Sequence, residues 1–198
     1  MTCFQALFKL LRNKKQVGKQ KDVVLAKKPK QKVVKTPKKD VTSEGAKEAV
    51  AFIHKLHKLE TVSIFDQVLH PQAEVLFRGA LMSRNDFVEQ SKLTFEAFPD
   101  FQHNETSIRV VVEKDGYWEI VCEIKPSGTH TGIPYAFGPF PEIPTTGKHV
   151  QMDPERVTYT VTAQESGKGL VIQKMSILPL GAMTGPAGFY TAIGGVIF

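Results

Sequence analysis

The apolar positions of this chain change their spacing along its length, and each spacing predicts a different element. In residues 1–15, Phe4, Leu7, Phe8 and Leu11 recur at helical spacing and lead into a long lysine-rich run. From Thr42 onward, "TSEGAKEAVAFIHKLHKLE" offers a capping hydroxyl, then Ala49, Phe52, Ile53, Leu56 and Leu59 on one helical side. A short helix is expected through "SIFDQVLH", stopping at Pro71, and a short strand in "AEVLFRG". "SRNDFVEQSKLTFEAF" is the clearest helix. Ser83 and Asp86 resemble a capping box with Asp in place of Glu, and Phe87, Val88, Phe95 and Phe98 share one arc before Pro99 ends the run.

Beyond Pro99 the apolar period shortens to two. "SIRVVVEKDGYWEIVCEIK" reads as a hairpin turning on a three-residue loop, Lys114-Asp115-Gly116, with Gly116 in the left-handed position. That loop puts Ile108, Val110 and Val112 on one face with Trp118, Ile120, Cys122 and Ile124; a two-residue loop would mix Glu119 and Glu123 into it. "RVTYTVTA" and "LVIQKMSIL", joined by the turn "ESGKG", add two strands. Helices followed by antiparallel strands define an α+β domain with its helices on one face of a sheet.

The net charge of +6 is unevenly placed. Residues 1–40 hold 13 Lys and Arg against 2 Asp and Glu, whereas residues 41–198 hold 13 against 18. The chain therefore divides into a basic arm, residues 1–41, and a mildly acidic domain, residues 42–198, which argues against nucleic-acid binding by the domain itself. The arm fits a disordered solvated segment, an anchor for an anionic membrane surface, a transit peptide or, through "KKPKQK", a nuclear address. Two cysteines, Cys3 and Cys122, point to a reducing compartment, so a cytoplasmic protein is expected. The uncharged end "ILPLGAMTGPAGFYTAIGGVIF" is long enough to span a bilayer, but its glycines and prolines predict a strand with an apolar lid or dimer contact instead.

Residues 127–148, "SGTHTGIPYAFGPFPEIPTTGK", combine four glycines, four prolines and three aromatics around His130. With "HPQAEVLFRG", "FPDF" and a closing strand that leads into "LG", the order "GTHTG" then "IPTTGK" resembles the SnoaL-like polyketide cyclase family of the nuclear-transport-factor-two-like superfamily over about residues 44–195. The resemblance implies a cone, in which a curved antiparallel sheet wraps around N-terminal helices and leaves a deep apolar pocket. It also implies a homodimer formed through the outer sheet face, and cyclase or isomerase chemistry beside a carbonyl. Residues 127–148 would then form the pocket's rim or, alternatively, a stiff connector. Tyr135, Phe137 and Phe140 would line the mouth, with Trp118, Phe95 and Met175 completing the contacts to a small hydrophobic, carbonyl-bearing ligand.

The family's acid/base aspartate at the end of the last strand corresponds to about Leu178 or Pro179, neither of which carries a proton. His130 is the candidate base in its place, with Asp100 orienting it or capping the loop and Tyr135 donating to a carbonyl. A non-catalytic binding or dimerisation module is the alternative. His54 and His57 stand three apart on a helix, as metal ligands can, but no third ligand accompanies them and nearby lysines mark a solvated face. No metal or cofactor is expected. Cys122 reads as core packing.

Overall fold

The computed structural model of the chain describes residues 43–58, 62–164, 167 and 169–197. The arm, Leu59, and Glu165, Ser166 and Lys168 of the last turn lie outside them. Helix α1 (Glu44–Lys58) is capped by Ser43, whose Oγ accepts from the Ala46 amide at 3.0 Å. It buries Ala46, Ala49, Ile53 and Leu56 as its spacing predicts, together with His57, while Phe52 is only half-buried. Its first turn lies tight on the sheet: a Cβ on Gly45 would stand 2.6 Å from the Trp118 ring.

Helix α2 (Ile64–Val68) ends three residues before Pro71, and β1 (Leu69–Phe77) carries the chain through that proline. The register of β1 shifts between Leu69 and Glu74, so Pro71 sits where the ladder is interrupted and its missing N–H breaks no bond. After β2 (Ala80–Met82), α3 (Arg84–Ala97) begins at the predicted cap, with Ser83 Oγ accepting from the Asp86 amide at 3.0 Å.

Strands β3 (Glu105–Lys114) and β4 (Tyr117–Ile124) form the predicted hairpin with a shorter turn. Lys114 pairs with Tyr117 across the two-residue loop Asp115-Gly116, and both loop residues have positive φ, 45° and 77°. A bulge in β3 between Val110 and Val112 then absorbs one residue, which restores the expected pairs Val110–Ile120 and Ile108–Cys122. Val112, on the turn side of the bulge, is exposed. Trp118, Ile120, Cys122 and Ile124 all face the core.

Two short strands, β5 (Ser127–Thr129) and β6 (His149–Gln151), pair where only loop was expected. Strands β7 (Glu155–Ala163) and β8 (Leu170–Pro179) complete a six-stranded sheet in the order β2-β1-β8-β7-β4-β3. The β1–β8 pair is parallel, so the curved sheet is mixed rather than wholly antiparallel. The long stretch of chain between these strands gives β8 room to enter in that direction.

The end of the chain also departs from expectation. Gly185–Ala192, "GPAGFYTA", forms helix α4. Its proline stands in the first turn, where no intrahelical N–H is needed, and a Cβ on Gly188 would meet Met183 backbone at 2.9 Å, so glycine serves close packing there. Among the described residues, no helix is long and apolar enough to cross a membrane. The result is a cone-shaped α+β domain whose sheet packs its inner face, Val157, Tyr159, Val161, Ile172 and Met175 included, against the helices.

Candidate functional site

The loop between β5 and β6 is built onto the end of α3. The Gly132 amide donates to the Ala97 carbonyl at 3.0 Å and the Ile133 amide to the Glu96 carbonyl at 3.2 Å, satisfying carbonyls the helix leaves open. Only glycine fits at 132, because a Cβ there would stand 1.7 Å from the Glu96 oxygen. His130, fully buried, knots the loop together. Its Nε2 lies 3.1 Å from the Ile133 carbonyl, which only accepts, so Nε2 carries the proton. Nδ1 is then the acceptor, facing the Thr146 hydroxyl at 3.2 Å and the Thr146 amide at 3.3 Å. Both ring nitrogens are thus engaged by the loop itself.

Asp100 does not touch His130. It accepts from the Thr129 amide at 2.5 Å and the Thr129 hydroxyl at 2.6 Å, fastening β5 to the turn after α3. Slight desolvation works to raise the Asp100 pKa, but these bonds and the nearby His149 outweigh it and hold the carboxyl below its ordinary value. Tyr135 is also fully buried; its hydroxyl meets Thr94 Oγ1 at 3.0 Å and accepts from Gln90 Nε2 at 3.3 Å, which ties the loop to the middle of α3. Burial pushes its phenol well up despite those bonds. Phe137 and Phe140 stack on each other and against Tyr190 of α4, whose hydroxyl donates to the Pro141 carbonyl at 2.7 Å. Trp118 lies under the start of α1, with Nε1 facing Glu113.

A different group of side chains converges under the end of α1. His57 Nδ1 lies 2.8 Å from Glu105 Oε2, and His57 Nε2 lies 3.0 Å from the Tyr159 hydroxyl. Burial, then the neighbouring His103 and His54, bring the His57 pKa down to about 3, so the ring is neutral. Glu105 only accepts, so the neutral ring donates from Nδ1 and its Nε2 accepts from Tyr159. His54 extends the line outward, 3.1 Å from Glu105 Oε1, with its side chain 44% exposed against 16% for Glu105 and 4% for His57. The result is a hydrogen-bonded row from solvent to the core: His54, Glu105, His57, Tyr159.

Aromatic rings wall this row. His103 stacks on His57 at 4.7 Å and meets the ring of Phe101 at 5.0 Å; Phe95 packs edge-on against Phe101 at 4.9 Å. Phe95 and Met175, which pairs with Tyr159 across β7 and β8, therefore flank the row, whereas Trp118, Phe137 and Phe140 sit elsewhere. Cys122, adjacent on β4, is buried; burial and then Glu105 push its thiol up. The expectation that His57 faces solvent with no further ligand is corrected: ligand atoms of His57, Glu105 and Cys122 lie within 4.8 Å of one another. One signal for this was present in the sequence, since Ala49, Ile53 and His57 form a single i, i+4 row.

No protein-family model matches the sequence, and no curated protein is significantly similar to it. Solved structures share its fold. A protein described as a SnoaL-like polyketide cyclase from Jannaschia sp. CCS1 is 17% identical, with 76% of this chain and 94% of that one covered and a TM-score of 0.50. One described as an aromatic ring hydroxylase from Novosphingobium aromaticivorans is 17% identical over 70% and 93%, also with a TM-score of 0.50. One described as a calcium/calmodulin dependent protein kinase II association domain from Xanthomonas campestris is 11% identical over 67% and 86%, again at 0.50. The domain thus shares the fold of these solved structures, a SnoaL-like protein among them. At these identities the likeness is one of architecture, and activity has to be argued from the side chains.

Proposed function

We propose that the domain binds a small hydrophobic, carbonyl-bearing molecule against the inner sheet face and moves a proton beside its carbonyl through the row His54–Glu105–His57–Tyr159. The observation that carries this reading is the continuity of the row, with links of 3.1, 2.8 and 3.0 Å from an exposed imidazole to a buried phenol. Glu105 fixes the tautomer and orientation of His57, whose Nε2 takes the Tyr159 proton as the Tyr159 oxygen takes the α-proton of the ligand. His130, Asp100 and Tyr135 then serve as the frame of the mouth loop. The test is a panel of aromatic and polycyclic ketones incubated with the full chain in D2O, read by thermal stabilisation and by NMR loss of the α-protons. His57→Gln and Tyr159→Phe are expected to keep the stabilisation and slow the exchange by roughly 100-fold. If no ketone stabilises the protein, or exchange is equal in the variants, the reading fails.

The outer sheet face favours a second reading, in which the domain is a homodimerisation module. Val121, Thr158, Ser176 and Leu76 form an uncharged row across β4, β7, β8 and β1, continued by Leu81 on β2. Ion pairs flank it, Glu123–Arg156 on one side and Glu74–Lys174 on the other. An uncharged centre flanked by ion pairs suits self-association.

A further inference from the structure

We propose that His57, Glu105 and Cys122 form a binding site for a single zinc ion. The three side chains offer one nitrogen, one carboxylate oxygen and one sulfur, a donor set that suits zinc better than magnesium or calcium. Their ligand atoms already lie within 4.8 Å of one another, against separations of roughly 3.5 Å around tetrahedral zinc. The rearrangement needed is small, because the ion takes the place of the proton now shared by His57 Nδ1 and Glu105 Oε2 at 2.8 Å. The proton displaced from Nδ1 passes to Nε2, where Tyr159 at 3.0 Å becomes its acceptor and fixes the ring's orientation, and the Cys122 thiol proton is released to solvent as the thiolate binds. His103, stacked at 4.7 Å, holds the plane of the same ring. Cys122 and Glu105 are set by adjoining strands: Cys122 pairs with Ile108, and Glu105 pairs with Ile124, so neither depends on a mobile loop.

The half-exposed His54 marks the route from solvent, since it contacts the other Glu105 oxygen. Three protein ligands leave a fourth position for water or for a ligand oxygen, the pattern of zinc sites that act on bound molecules rather than hold a fold together. The inference goes beyond the proton-transfer reading, and a metal bound here would interrupt the row. Zinc is therefore expected to suppress ketone α-proton exchange, while metal uptake is measured with no ketone present, so each reading can fail alone.

The test uses the full chain carrying Cys3→Ser, so that the arm supplies no thiolate. The protein is prepared without an affinity tag, stripped with a chelator and titrated with Co2+, then Zn2+. One cobalt per chain is expected, with a thiolate-to-metal charge-transfer band that Zn2+ displaces. Cys122→Ala is expected to remove that band, and Glu105→Gln to weaken zinc binding at least ~10-fold. Cobalt well below one per folded chain, or a charge-transfer band that survives Cys122→Ala, overturns the proposal. If Cys122→Ala does not fold, zinc binding by Glu105→Gln as tight as by the parent overturns it equally.

Discussion

Glu155 opens β7 as a buried carboxylate and accepts from the Gly185 amide at 2.6 Å, holding the first turn of α4. Burial pushes its pKa up to about 7, against the Gly185 hydrogen bond and the Arg78 charge, which favour ionisation. Between its ordinary value of 4.5 and about 7 the folded chain keeps a proton that the unfolded chain has released. Stability conferred by that proton is present below 4.5 and is lost as pH rises through 7, by at most about 1.4 kcal/mol per pH unit. His57 works in the opposite direction: its pKa falls from 6.5 to about 3, so stability present above 6.5 is lost as pH falls toward 3. The windows overlap from 4.5 to 6.5, where the two slopes oppose each other. Glu155→Gln is therefore expected to uncover a stability that rises with pH across that overlap, and His57→Gln one that falls. Urea midpoints measured at half-unit pH steps check both, and a Glu155→Gln curve parallel to the parent's would remove the assignment.

At the scale of elements, the loop between β5 and β6 behaves as an extension of α3. Gly132→Ala drives a Cβ into the Glu96 carbonyl and removes the two amides that close the helix, so a loss of at least about 2 kcal/mol is expected. Gly147 is also in the left-handed region, with φ of 68° and open space around it; Gly147→Ala should cost only about 1 kcal/mol of backbone strain. Thermal melts of the pair separate steric docking from conformational preference: equal losses would mean that α3 does not carry the loop. The elements themselves were largely legible in the chain. The Ser83 cap and the inward row of β4 follow from neighbours a few residues apart. The β3–β4 pairing was read through the wrong turn, because a bulge further along restores the register that a longer loop would have set. The motif "GTHTG" marked a real structural knot, but the spacing of its residues says nothing of Ile133 and Thr146 closing on both His130 nitrogens. The row under α1 was least legible, since its links join residues 48 and 102 positions apart and only the sheet registers bring them together. The β1–β8 pairing escaped for the same reason: alternation identifies a strand, not its partner's direction.

For the whole molecule, the outer sheet face and the basic arm combine into one expectation. Thr158 lies near the centre of the uncharged outer row, between Val121 and Ser176. Thr158→Glu places a charge there, opposite its own copy in a two-fold dimer, and is expected to convert a dimer into a monomer in sedimentation equilibrium without changing the melting temperature of the domain by more than a few degrees. Each chain brings an arm of 13 cationic side chains, with Phe4, Leu7, Phe8 and Leu11 at helical spacing. Such a segment is expected to bind vesicles containing phosphatidylserine through charge and apolar contact together, and to bind them more weakly as salt rises. Two arms on one dimer make the second contact intramolecular, so membrane affinity should exceed that of a single arm by more than a factor of ten. The parent chain is therefore expected to co-sediment with anionic vesicles at 0.1 M salt. The Thr158→Glu protein should bind more weakly by that factor, and a chain lacking residues 1–41 should not bind at all. Equal vesicle binding by parent and Thr158→Glu, with the parent dimeric, would show that the arms act singly; a parent that sediments as a monomer at every concentration would remove the outer face as an interface.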